Sequence, residues 1–129
     1  MKALLLMQSY MLLINIDLRM RLGSVRAVHS LVQRQRTASI LRHPDAGIAA
    51  VCHAMDLASV LYLKPVLCLQ RSAATAVLLR RYGWRSEMVI GAQIIPFRSH
   101  AWVEVNGQVV NDKPYMRQIY RVLERCQAE

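Results

Sequence analysis

The apolar positions of this chain change period near Gly83, and the change divides it into a helical part and a sheet part. Residues 2–21 form an apolar run interrupted by Gln8, Ser9 and Asn15 and predict a long helix. In residues 24–36, Val25, Val28, Leu31 and Val32 recur at helical spacing with arginines on the other side, which predicts a second helix. The connector "TASILRHPDAG" follows. Pro44 and Asp45 suit the first turn of a third helix running to about Leu61: proline lacks only a surplus N–H, and aspartate meets the positive end of the dipole. Lys64-Pro65 breaks the chain. A fourth helix starts between Val66 and Cys68 and stops at Gly83. Its alanines and Ser72 permit close approach of a neighbour.

Beyond Gly83 the texture is that of strands. "SEMVIGAQ" has a short apolar core, and "SHAWVEV" and "QVVND" flank Asn106-Gly107, a hairpin signal. Pro114 ends the sheet region, and Met116, Ile119, Tyr120 and Leu123 recur at helical spacing, predicting a closing helix. Helices first and antiparallel strands later read as an α+β fold. The length, 129 residues, is that of a single domain. Within it, residues 1–43 form a basic helical segment and residues 44–129 the core.

Charge adds a candidate surface. The net charge is +9, of which +6 lies in residues 1–43. Such a field attracts an acidic peptide, nucleic acid or an anionic membrane surface, and also simply keeps a protein soluble. Nucleic acid is disfavoured because aromatic and basic residues do not interleave. The first helix reads as too short and too polar to span a membrane, and no small-x-small cleavage site follows it. It is expected to pack on the protein or a partner, with membrane-surface contact as the alternative. Three cysteines (Cys52, Cys68, Cys126) without CxxC spacing argue against a disulfide framework and against a zinc site, and suggest a reducing, cytoplasmic setting. No cofactor motif is present.

Chemistry concentrates at Cys68, His100 and Asp112. A cysteine at a helix start faces unpaired N–H groups that favour a thiolate, the nucleophilic form. A histidine can pair with that thiolate and protonate a leaving amine, and a third residue can fix the imidazole. Each residue also has a plainer explanation, the cysteine as a small packed hydrophobe and the histidine as a satisfied strand residue.

The hairpin decides whether His100 and Asp112 can meet. A two-residue loop pairs 105 with 108, hence 101 with 112, and puts His100 and Asp112 on opposite faces. A three-residue loop, Val105-Asn106-Gly107, pairs 104 with 108 and 100 with 112. The three-residue loop is expected.

"CLQRSAATAVLLRRYGWRSEMVIGAQ" followed by "HAWVEVNGQVVND" resembles the lasso-peptide leader peptidases, bacterial cysteine peptidases with a transglutaminase-like, papain-related fold. The likeness covers about residues 66–126. The order Cys, His-Ala-Trp, Asp is that of the wider transglutaminase-like superfamily; Cys68, Leu69, Arg71 and Ser72 with the close His100-to-Asp112 spacing narrow it. The resemblance implies a nucleophile at Cys68, a general base and acid at His100 and an orienting acid at Asp112. It implies removal of the leader from a lasso precursor peptide, a leader-recognition domain that is a separate protein or is dispensed with, since no β-rich segment precedes the motif, and an ATP-dependent cyclase acting next. No metal or cofactor is expected. Where papain-like enzymes carry an oxyanion-hole glutamine, Tyr62 stands here, a weak second donor beside the Cys68 N–H. Leu69, Arg71 and Trp102 are candidate substrate contacts. An acyltransferase using the same site, and a non-catalytic interaction module with basic helices, are the competing readings.

Other residues fit structural roles. Cys52-His53 reads as core packing, Cys126 as part of the last helix's apolar stripe, and His29 and His43 as exposed. Asn111 is an alternative orienter that the expected register turns away. Glu104 shares the catalytic face as a substrate contact or a solvated group. Arg98 could meet an acidic substrate or partner, or stay solvated.

Overall fold

Four α-helices come first: α1 (Lys2–Leu22), α2 (Val25–Arg34), α3 (Ile48–Leu61) and α4 (Cys68–Arg81). Then follow strands β1 (Ser86–Gln93), β2 (Arg98–Val105) and β3 (Gln108–Val109), the short helix α5 (Met116–Ile119) and strand β4 (Arg121–Cys126). The computed structural model describes residues 2–39 and 47–127. Pro44, Asp45 and His43 lie outside the described residues; within them, α3 begins at Ile48.

The architecture is α+β, as the hydrophobic pattern predicts. The strands form one antiparallel sheet in the order β3-β2-β1-β4. Helix α4 lies between the other helices and the sheet. Its Ala73, Ala74, Ala76, Val77 and Leu78 are all buried, so the small side chains do bring neighbours close. Val103, Val105 and Met88 supply the sheet's share of this core. Each fully buried aliphatic side chain contributes about 1.5–3 kcal/mol. The helix stops as its sequence requires. Gly83, at φ 92°, donates to the Arg80 carbonyl, and Trp84 N–H reaches back to Leu79, a Schellman closure.

Helix α1, with 21 residues, is long and apolar enough by length and composition to cross a membrane, contrary to the sequence reading. Its Leu5, Leu12, Leu13 and Ile16 are nevertheless buried in the helical core. Asp17, also buried, is ion-paired to Lys64 at 2.7 Å and accepts the Tyr62 hydroxyl at 3.1 Å. Leu4, Met7, Met11 and Leu18 remain exposed.

The chain's end departs from the predicted helix. Only the turn Met116–Ile119 is helical; residues 121–126 pair with β1. Of the apolar stripe, Met116 is buried but Leu123 is 65% exposed, so helical spacing did not describe the buried face. Pairing supplies what a helix could not: β1 gains a partner on its second edge, and Arg125 reaches Glu87 and Glu104. Cys126 is buried as expected, but in this strand.

The hairpin loop has two residues, not three. Asn106 (φ 53°) and Gly107 (φ 78°) both sit in the left-handed region, the backbone of a type I′ turn, and Val105 pairs with Gln108. Asn-Gly favours that turn, whose twist matches the strands it joins. The regular ladder does not, however, continue to Asp112. Val110 N–H donates to the Val103 carbonyl, but Val103 N–H donates to the Asn111 side-chain oxygen at 2.7 Å. The chain bends at Asn111 and Asp112, and the parity that would have separated His100 from Asp112 no longer applies.

Candidate active site

Cys68 is the first residue of α4. The residue before it, Leu67, is the N-cap and has no side-chain acceptor, so no cap consumes the amides of the first turn. Leu67's own N–H donates to Gln70 Oε1 at 3.1 Å. One turn on, on the same helix face, buried Ser72 donates to the Ala101 carbonyl at 3.0 Å. Asn111 Nδ2 donates to the same Ser72 oxygen at 3.1 Å. The first turns of α4 are thus fastened to β2 beside His100 and to the bend before Asp112.

At that junction His100 Nε2 lies 2.6 Å from Asp112 Oδ2. The contact commits Nε2 to the carboxylate and leaves Nδ1 for another partner. Asp112 Oδ1 accepts the Lys113 N–H at 2.8 Å. Arg71 stands between two acids, 4.0 Å from Asp112 and 3.6 Å from Asp56 of α3. Burial works against the Asp112 charge, but the hydrogen bonds from His100 and Lys113 and the nearby Arg71 outweigh it and hold its pKa below the usual 3.8.

A family model described as the transglutaminase-like superfamily matches residues 12–125. The chain belongs to the transglutaminase-like superfamily. It is also 48% identical over 50 residues to the microcin J25-processing protein McjB of Escherichia coli, a stretch covering 39% of this chain and 24% of that protein. These findings bear out the resemblance drawn from the motifs. No solved structure shows a significant match.

In this transglutaminase-like chain the imidazole rests on aromatic support. His100 stacks on Tyr120 (ring centroids 5.3 Å apart) and on Trp102 (6.2 Å). Trp102 is fully buried, a floor beneath the histidine and not a surface for substrate. Its indole N–H donates to Glu104 at 2.9 Å. Glu104 is 1% exposed and paired with Arg125 at 3.0 Å and Arg117 at 3.6 Å, so it is neither solvated nor a substrate contact. It fixes the ring that supports His100.

Gly91, which pairs with His100 across the strands, makes room for this stack. A Cβ there would lie 2.8 Å from the Trp102 ring and 2.9 Å from Tyr120 Cβ. Gly91→Ala is expected to cost about 1–3 kcal/mol through overpacking and to displace the rings beneath His100. Thermal unfolding and tryptophan fluorescence of the variant check both effects.

Of the other sequence candidates, Tyr62 turns away: its hydroxyl is held by Asp17 of α1 and its ring packs on Tyr10, 5.3 Å between centroids. That withdraws it as an oxyanion donor. Leu69 is half-buried against the core, and Arg98 is exposed at the start of β2. Cys52 is buried, and burial with the nearby Asp56 pushes its thiol up to about 11, which fits a packing role. Ser72 and Gln70 were missed as positioning residues. Their polarity among the alanines and leucines of this helix was the available signal. Asn111, set aside as an orienter, is instead the residue that turns the chain toward His100.

Acid should weaken this arrangement. Asp112, Asp17 and Glu104 all have folded pKa values below their usual 3.8, 3.8 and 4.5. A depressed carboxylate stabilises the fold fully above its unfolded value and loses that contribution as pH falls through the folded one. Melting temperature is therefore expected to drop steeply below about pH 4, and less steeply in Asp17→Asn. Thermal melts across pH 2.5–7 measure it.

Proposed function

We propose that this chain is a cysteine endopeptidase that removes the leader from a ribosomally made lasso-peptide precursor. The observation that carries the proposal is the 2.6 Å contact of His100 Nε2 with Asp112, beside the helix that Cys68 opens. The similarity to a microcin-processing protein supports the substrate class.

In this mechanism the Cys68 thiolate attacks the scissile carbonyl at the leader–core junction. The uncapped first-turn amides of α4, those of Cys68 and Leu69, receive the developing oxyanion. His100, oriented by Asp112 through Nε2, gives its Nδ1 proton to the departing amine of the core peptide. Water, deprotonated by His100, then releases the leader as a carboxylate. Arg71, held by Asp56 and Asp112, fixes the acidic side of the site and offers its guanidinium to a substrate carbonyl or carboxylate. The exposed apolar face of α1 and the N-terminal arginines are the proposed docking surface for a separate recognition protein and for the ATP-dependent cyclase that takes the product.

The test is mass spectrometry of a precursor peptide incubated with the chain and the recognition partner. Leader loss with wild type and none with Cys68→Ala is expected. A mass increase on the leader matching an added amine would assign an acyltransferase instead. Cleavage by Cys68→Ala would remove the nucleophile assignment, and an intact precursor under all conditions would favour a non-catalytic module.

A further inference from the structure

At the opposite end of α4 from Cys68, three lone-pair donors converge. His29 of α2 and Glu124 and Cys126 of β4 place one nitrogen, one carboxylate oxygen and one sulfur within 4.8 Å of one another. His29 Nδ1 lies 3.4 Å from Cys126 Sγ and 3.3 Å from Glu124 Oε1. A single ring nitrogen cannot serve both neighbours well. Bearing a proton, it can donate fully to one; without it, it accepts from the thiol but faces the carboxylate lone pairs across a short gap. A cation bound at the centre would satisfy all three.

The spacing also fits. Tetrahedral zinc with bonds of about 2.3 Å to sulfur and about 2.0–2.2 Å to nitrogen and oxygen sets its ligands apart by roughly 3.6 Å (S to N) and 3.3–3.5 Å (N to O). The two contacts are within a few tenths of an ångström of those edges. Glu124 and Cys126 alternate on the strand and so share its α2 side. The Glu124 side chain is 51% exposed and opens a path from solvent, while Cys126 is buried and its carbonyl is held by Arg80 at 2.7 Å.

We infer that His29, Glu124 and Cys126 form a binding site for Zn²⁺ or a similar borderline divalent cation, with solvent as fourth ligand. A sulfur–nitrogen–oxygen set selects such ions over magnesium or calcium. Binding replaces the thiol proton, which leaves to solvent, and the two ligand charges neutralise the ion. The ion would clamp α2 to the edge strand of the sheet. The site lies roughly 18 Å along α4 from Cys68 and is separate from the proposed chemistry. No CxxC motif announces it because its ligands come from two elements far apart in sequence.

The test uses the full chain carrying Cys52→Ala and Cys68→Ala, which leaves Cys126 as its only thiol, titrated with Co²⁺. A thiolate-to-cobalt band in the near ultraviolet, with strong visible bands of a four-coordinate ion, should saturate at one equivalent and be displaced by Zn²⁺. Adding Cys126→Ser should abolish the charge-transfer band. His29→Ala, at a half-buried position, should weaken binding at least ten-fold and remove the rise in melting temperature that Zn²⁺ gives wild type. Absence of a thiolate band at saturating Co²⁺, or an unchanged affinity in His29→Ala, would overturn the site.

Discussion

Cys68→Ala is expected to lower precursor cleavage by about 10,000-fold or more while leaving the melting temperature nearly unchanged. The reasoning separates chemistry from packing. Cys68 is half-buried at the first position of a helix, and its thiol makes no hydrogen bond among the described residues, so its loss costs the fold little. Its loss from the reaction removes the only group proposed to bond to the scissile carbon. Asp112→Ala should fall in between, slowing cleavage by about 100-fold, because the imidazole persists but loses its 2.6 Å anchor. Asp112→Asn, which keeps the shape and one acceptor, should lose less than Asp112→Ala. The check is a single-turnover rate for each variant beside its thermal melt. Equal losses in rate and stability across the series would mean that the site's residues act on folding alone.

Asn111→Ala carries the same logic to a positioning residue. In the native chain the Asn111 oxygen takes the Val103 N–H that a continuing ladder would give to the Val110 carbonyl. Without that side chain the natural acceptor becomes the Val110 carbonyl, the strand extends by a residue pair, and Asp112 moves to the face opposite His100. Cleavage should drop nearly as far as in Asp112→Ala, although Asn111 touches no reacting atom. Rescue by Asn111→Gln is not expected, because the longer side chain cannot hold the same bend.

How much of this was legible in the sequence depends on the range of the interaction involved. Local rules served well where the information was local. Gly83 ended α4, Pro65 preceded it, Asn106-Gly107 made the turn, and the order of helices and strands gave the α+β class. The three candidate residues were named from their types and spacing, and the structure brings His100 and Asp112 into contact. The contact nevertheless does not arise from a three-residue loop. Parity would require that loop only if the ladder ran on unbroken to Asp112. The loop follows the Asn-Gly preference, and the bend is made by Asn111 reaching Ser72, a residue 39 positions away. The last segment failed for a related reason: a helical stripe was present, but pairing with β1 and the Arg125 contacts overrode it. Glu104 and Tyr62 were misplaced because no local feature shows which buried partner a polar side chain will find.

The largest effect on stability is expected from Arg80→Met. Arg80 is fully buried at the last turn of α4, and its guanidinium is spent on carbonyls instead of a carboxylate. Nε and Nη2 donate to Ser86 at 3.0 and 2.8 Å, Nη2 to Cys126 at 2.7 Å, and Nη1 to Gln35 at 3.3 Å and to Val32. One side chain therefore closes the end of α2, the start of β1 and the end of β4. Burial lowers its pKa, yet an arginine still holds its proton where a lysine would be prone to lose it. Methionine fills much of the volume but leaves three buried carbonyls and the half-buried one of Gln35 without this donor, a loss of about 3–5 kcal/mol. Against a total stability of about 5–15 kcal/mol that is a large fraction, and the melting temperature should fall by roughly 10–20 °C. Arg80→Lys keeps a cation but cannot fork to three elements at once, so it should recover only a minor part. Full recovery by lysine in a thermal melt would show that charge, not the planar fork, holds the helices to the sheet. Such a loss also reaches the proposed site, because α4 carries Cys68 at one end and Arg80 at the other, and a helix released at its last turn no longer holds its first against His100.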